Sequence, residues 1–273
     1  MPPPYARGHV RAPNKDHLLA LSAIRHGRML RSLRQDAPAA FDARTKGIIG
    51  PIKDQASCGS CWLFSGTFVA ETAMYLSGIL KSDGSQTLSE EYGLSCGNNG
   101  GCNGDDNTTT LAEAKATGIP LASVYGPYDA RAGTCNYKQG MQLYKIDDWG
   151  FADGNGGNGV TSTAAIKAAI MAYGCVGSGV AAGGDAFWDS GTGTGIGRSS
   201  SIDHDVGIVG WDDSHDNGDG TKGAWIMRNS WGTGWGVQGY AWVKYGAYDL
   251  GTEAVWAKVA NPNPQPISPD LWG

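Results

Sequence analysis

The 273-residue chain has no run of basic residues of the kind that holds nucleic acid, and its net charge is −5. It has no apolar stretch long enough to cross a bilayer as a helix. Neither a nucleic-acid partner nor a membrane is therefore expected. The first residues, Met1-Pro2-Pro3-Pro4-Tyr5, lack the apolar core of a signal peptide and read as a chain start or as the end left by a removed signal. Cysteine is sparse at 6, so if one thiol must stay free for chemistry a second is unpaired as well. The acidic loop from Asp212 to Gly220 lacks the closing glutamate of an EF-hand, and it reads as a solvated hairpin loop that includes His215. No metal and no cofactor is expected.

What the chain does have is enough length for one large or two small domains around a substantial core. Gly 43 and Trp 10 are both high, which points to tight turns in a strand-rich region with aromatics filling the gaps. The densest chemistry lies in Gln55-Ala56-Ser57-Cys58-Gly59-Ser60-Cys61-Trp62. The run after it, to Leu76, is apolar on nearly every face and reads as a helix buried in a core. Ser60 suits its N-cap, which puts Cys61 at the first helical position. There the unpaired backbone N–H groups and the helix dipole favour thiolate, the nucleophilic form. A C-x-x-C pair has redox and zinc readings too.

Residues 1–36 form a basic N-terminal segment whose His17–Leu33 portion suits a helix with an apolar stripe. His9, His17 and His26 within it read as solvated. Leu88-Ser89-Glu90-Glu91-Tyr92 suits a helix start. The second half is Gly-rich, with strands expected at Asp205–Trp211, Gly223–Asn229 and Gly239–Tyr245. Cys175, between a helix and a strand, reads as a small buried hydrophobe. The Pro-rich residues 261–273 read as a surface tail or linker stub.

Cys58-Gly59-Ser60-Cys61-Trp62 resembles the signature around the nucleophile of the papain/cathepsin family of cysteine peptidases. Ile202-Asp203-His204-Asp205-Val206 is similar to that family's Asp-His-Ala-Val, with Asp205 in place of the small residue. The run Asn229-Ser230-Trp231-Gly232-Thr233-Gly234-Trp235-Gly236 is similar to its Asn-Ser-Trp-Gly-x-x-Trp-Gly. The resemblance covers about residues 38–260. It implies an α+β fold of two domains, papain-like, with a mainly helical domain over 37–150, a mainly antiparallel, barrel-like β domain over 151–260, and the cleft between them. It implies Cys61 as nucleophile, His204 as base, Asn229 as the group orienting that base, and Gln55 as oxyanion donor beside the Cys61 N–H. By the same resemblance Cys58 pairs with Cys102 and Cys96 with Cys135, although four cysteines allow three pairings. Such bridges imply an oxidising compartment, whether secreted, periplasmic or lysosome-like.

For substrate the resemblance implies Gly104, Asp105 and Asp106 along one side of the main specificity pocket. Gly179 and Val255 would line it, Ile202 and Asp203 would wall it, and Trp231 and Trp235 are counted with the substrate-binding positions. Where the family has an aromatic and a proline after its glycines, this chain has Asp105 and Asp106. An apolar floor with an acidic rim is expected, open to Lys or Arg at the residue second before the scissile bond. The expected partners, in a monomer, are a peptide or protein substrate and the chain's own N-terminal segment, read either as a cleft inhibitor or as a basic helix docked elsewhere on the acidic body. Peptide ligation at the same site, and a non-catalytic binding role, are the alternatives.

Overall fold

The computed structural model describes residues 6–10, 37–97, 99–153, 159–183, 185–198 and 201–260. The helix expected within 17–33 and the tail over 261–273 lie outside the described residues. In chain order the described elements are β1 (Ala40–Asp42), α1 (Cys61–Leu76), α2 (Glu90–Cys96), α3 (Asn107–Ala116), α4 (Ala122–Tyr125), β2 (Asp148–Phe151), α5 (Thr163–Tyr173), β3 (Val176–Val180), α6 (Phe187–Ser190), β4 (Thr194–Gly195), β5 (His204–Asp216), β6 (Lys222–Arg228), β7 (Tyr240–Lys244) and β8 (Thr252–Lys258), with three short 3-10 turns between them.

Helix α1 is the buried helix expected from its sequence: every residue from Cys61 to Tyr75 is buried. It lies between α3 on one side and strands β5 and β8 on the other. Gly66 permits the approach of α3, since a Cβ there would sit 2.4 Å from Thr110 Cβ. Its start differs from expectation. Ser60 has φ −103° and ψ 17° and makes no side-chain cap bond. Its hydroxyl is committed to Tyr128 at 2.7 Å, and its carbonyl accepts from Leu63 and Phe64. At α2, Ser89 does cap, accepting from the Tyr92 N–H.

The strands form one sheet in the order β2-β8-β3-β5-β6-β7-β4, with β1 also pairing β5. The pairings are antiparallel except β4 with β7. The three strands read from the sequence are β5, β6 and β7, with β5 running on to Asp216. The acidic hairpin loop consumes its own carboxylates: Asp219 binds Lys244 and Thr221, and Asp216 binds the Gly218 N–H. One hydrophobic cluster takes in Phe68, Val69 and Met74 of α1 together with Val176, Ile208 and Val255 of the sheet. Helical and sheet halves are thus welded through α1, whose first residue emerges where β5 begins. Cys58 is bonded to Cys102 and Cys96 to Cys135, while Cys61 and Cys175 are buried free thiols.

Candidate active site

Four side chains converge where the head of α1 meets the start of β5. The Asp205 backbone N–H hydrogen-bonds the Cys61 sulfur, which draws the residue before it, His204, to the same point. Asn229, just past the end of β6, places its Oδ1 2.8 Å from His204 Nε2. That oxygen also accepts from the Ser230 N–H, so it faces the ring as an acceptor and His204 Nε2 carries the proton. Nδ1 is buried without a hydrogen-bond partner among the described residues. The Trp231 ring stacks on His204 at 4.7 Å, and Trp235 meets Trp231 edge-on at 5.5 Å. Trp188, which the sequence reading did not single out, extends this aromatic wall and accepts the Trp235 indole N–H on its carbonyl.

Gln55 is fixed at both ends of its amide. Its Oε1 accepts from the Ser230 hydroxyl at 2.6 Å, and its backbone N–H donates to the Ser230 carbonyl. Nε2 is thereby aimed at the cleft, where it donates to the Ala6 carbonyl at 2.8 Å and to the Cys58 carbonyl at 3.0 Å.

Residues 6–10 run through this cleft. The Gly8 N–H points at Cys61 Sγ, 3.3 Å away. The segment pairs with Asp105 as a parallel bridge: the Asp105 N–H donates to the Gly8 carbonyl and the Val10 N–H to the Asp105 carbonyl, each at 2.8 Å. The fit at Gly8 leaves no room for a side chain, since a Cβ there would lie 1.8 Å from the Gly59 carbonyl oxygen. Arg7 reaches Asp203 Oδ2 at 3.1 Å. His9, expected in solvent, is buried: Nδ1 lies 2.9 Å from Asp205 Oδ2 and Nε2 lies 3.9 Å from Glu253 Oε2. Burial lowers its pKa, but the carboxylates more than offset this and hold the ring charged, up to about 9.

Under this cover the Cys61 thiol is the reverse of the thiolate expected at the head of the helix. Burial, with the Asp205 carboxylate nearby, pushes the Cys61 thiol far up. Burial also pulls His204 down to about 4. Desolvation outweighs the helix terminus here because the segment excludes water from both groups.

The substrate-binding expectations divide. Gly104, Asp105, Gly179, Ile202 and Asp203 surround the segment. A Cβ at Gly104 would lie 2.5 Å from the Gly8 carbonyl oxygen, and one at Gly179 would lie 2.9 Å from Ile202 and 3.6 Å from the His9 ring. Asp203 accepts the His9 N–H on its carbonyl. Asp106 forms no exposed rim: it is 3% exposed, and its carboxylate caps α3 by accepting from Thr108. Its charge still reaches His9 through space. Val255 lies in the core, and Trp231 and Trp235 stand on the His204 side. The His9 ring sits against Asp205 and Glu253, so the space it fills is anionic where an apolar floor was expected. Glu253 gave no signal in sequence. Gly177 pairs Val255 and Gly179 pairs Thr252, so β8 carries an extra residue between these pairs; Glu253 sits in that bulge with φ +53°. A bulge re-aims a side chain in a way that strand periodicity cannot show.

The family described as papain family cysteine protease matches residues 37–258. Vignain of Ricinus communis is 33% identical over 217 residues, covering 78% of this chain and 56% of that protein. Procathepsin L of Mus musculus is 30% identical over 244 residues, covering 83% and 68%. The solved proform of the ragweed pollen allergen Amb a 11, a cysteine protease, superposes with a TM-score of 0.70 at 24% identity, over 83% of this chain and 68% of that one. The chain spans about half the length of the plant relatives it matches. With the family match spanning nearly all of the body that follows residue 36, the chain belongs to the papain family of cysteine proteases.

Proposed function

We propose that the chain is a thiol peptidase that hydrolyses peptide bonds, and that residues 6–10 belong to an inhibitory segment occupying its cleft. One observation carries the reading: a peptide carbonyl, that of Ala6, already rests on the Gln55 amide beside a Cys61 whose neighbouring histidine is oriented by Asn229. With water admitted, Cys61 passes its proton to His204 Nδ1, the nitrogen that Asn229 leaves free. The sulfur attacks the substrate carbonyl carbon, and the developing oxyanion takes hydrogen bonds from Gln55 Nε2 and the Cys61 N–H. His204 then protonates the leaving amine, and water attacks the resulting thioester with His204 as base.

The segment resists this chemistry because its backbone is out of phase with the machinery. Gln55 polarises the Ala6 carbonyl, while the sulfur meets the amide nitrogen of Gly8. Nucleophile and oxyanion donor thus serve different peptide groups. A relative named procathepsin L and a similar structure described as a proform support the inhibitory reading. The two disulfides support an oxidising compartment. Among the described residues no helix is long and apolar enough to cross a membrane. The test is Cys61→Ala. The variant should keep its melting temperature, lose peptide cleavage and escape labelling by an epoxide inhibitor of thiol peptidases. Cleavage at an undiminished rate would remove Cys61 from its role.

A further inference from the structure

We propose that Tyr128 is a positioning residue for the oxyanion hole. Its hydroxyl ties the Gln55 loop to the head of α1 and so sets the spacing between the two donors, Gln55 Nε2 and the Cys61 N–H. This rests on the peptidase reading, in which those two groups receive the developing oxyanion.

The two donors belong to different parts of the molecule. Gln55 is clamped by Ser230 on the sheet side. The Cys61 N–H belongs to the peptide group that joins Ser60 to the first turn of α1. Tyr128 Oη meets both sides. It donates to the Gln55 carbonyl at 3.0 Å, and because that uses its one proton, it accepts from the Ser60 hydroxyl at 2.7 Å. The tyrosine is itself anchored elsewhere. Its loop is fastened to α2 by the Cys96–Cys135 disulfide and by Glu91 Oε2, which accepts the Asp129 N–H at 3.2 Å. The ring stands edge-on to Phe64 of α1, 5.0 Å away at 90°.

Two departures from local rules fall on this link. Ser60 forgoes the side-chain cap that a serine at a helix start usually supplies, and its hydroxyl turns to Tyr128 instead. Ala56, next to Gln55, has φ +50°, a left-handed conformation that a residue with a Cβ keeps only when its surroundings hold it there. Broken local rules of this kind gather where function has set the geometry. Without the tie, Gln55 would keep its Ser230 clamp, and Nε2 could still donate to the Cys58 carbonyl. What would loosen is the distance from Nε2 to the Cys61 N–H. A hole preset for developing charge loses rate when its donors wander, because small misplacements cost large factors.

The experiment compares wild type with Tyr128→Phe, which removes the hydroxyl and keeps the ring against Phe64. Two rates are measured on the full chain across a range of pH. One is kcat/KM for a peptide, whose cleavage passes through an oxyanion. The other is labelling of Cys61 by a dipyridyl disulfide, in which sulfur attacks sulfur and no oxyanion forms. Residues 6–10 must leave before either reagent reaches Cys61, so their occupancy cancels in the ratio of the two rates. We expect peptide cleavage to fall about tenfold relative to labelling, less than the roughly 10²–10³ for losing a donor outright. The pH profile of labelling should not move. In a Gln55→Ala background the same substitution should change the ratio by less than about twofold, as coupled residues require. A ratio unmoved by Tyr128→Phe overturns the proposal, as does a drop that persists in full without Gln55. Equal falls in both rates would give the hydroxyl a purely structural role and overturn it too. Should Tyr128→Phe fail to fold, Ser60→Ala cuts the same link from its other end and decides. If the wild type cuts no peptide, the peptidase reading itself falls and this proposal with it.

Discussion

Gln55 shows how a single side chain is made into a directed donor. Its Oε1 is occupied by Ser230, so the amide cannot flip, and Nε2 must face the cleft. Gln55→Ala should therefore lower kcat by about 10²–10³ with little change in KM, the pattern of a donor used mainly in the transition state. A rise in KM at constant kcat would make Gln55 a binding residue instead. At this scale the sequence was informative where chemistry sits in a compact motif: Cys61, His204, Asn229 and Gln55 were all legible and the fold brings them together. Ser230, beside Asn229, was legible as motif but not as the clamp on Gln55, because that contact joins residues 175 apart. Asp106 was misread as a rim, although Asp106-Asn107-Thr108-Thr109 carries the ordinary look of a capped helix start. Glu253 was invisible, since its direction depends on a bulge and a positive φ that alternating strand patterns do not encode.

The element that governs access in the proposed reading is the run 6–10. Its sequence gave away basicity but not register, which depends on Gly8 passing between Gly59 and Gly104. Gly8→Ala should displace the run, because the added methyl meets backbone atoms that cannot swing aside. Turnover of the full chain should rise, while protein cut near Ala37 is unaffected at matched active-site titration; an unchanged full-chain rate would mean that the run does not obstruct the site. The same element gives a pH dependence. The charged groups around His9 are Asp205, Glu253 and Asp106. Docking raises His9 from its ordinary 6.5 to about 9. A group raised in this way contributes hold that is fully present below about 6.5 and is lost as pH climbs through about 9. The ratio of full-chain to cut-chain activity, in which the ionisation of Cys61 and His204 largely cancels, should climb on the order of tenfold or more between these limits. A flat ratio, or the same climb in His9→Ala, would assign the dependence elsewhere.

Across the whole molecule, the active-site geometry depends on how the Gln55 loop is tied to the helices, and the tie is ionic. Lys53 Nζ lies 2.7 Å from Glu71 Oε1 on α1 and 2.6 Å from Glu90 Oε1 on α2. The Leu88 N–H donates to Glu71 Oε1 and the Thr67 hydroxyl to Glu90 Oε1, while Glu71 Oε2 is buried without a partner among the described residues. The buried α1 was legible from its apolar run, and the α+β class from the family resemblance. This triad was not, because it joins three segments that are distant in sequence and none of them shows it alone. The two carboxylates hold the Lys53 ammonium charged, and burial pushes Glu71 above the usual carboxylate range even with Lys53 present. Lys53→Met removes the cation and leaves both carboxylates buried, a loss of about 3–5 kcal/mol. In a protein of this size that corresponds to a Tm lowered by roughly 6–15 °C. The sign with pH follows from Glu71. A carboxyl raised on folding supports the folded state below its ordinary range and works against it as pH rises through the raised value. Without Lys53 the rise is larger, so the deficit should be greatest at neutral pH and shrink toward acid, where the carboxyls take up protons. Melting curves of wild type and Lys53→Met in a Cys61→Ala background, free of self-cleavage, measure this at both ends. Equal Tm values at neutral pH would show that the triad contributes nothing net; an equal deficit at both pH values would assign the loss to packing of the lysine stem.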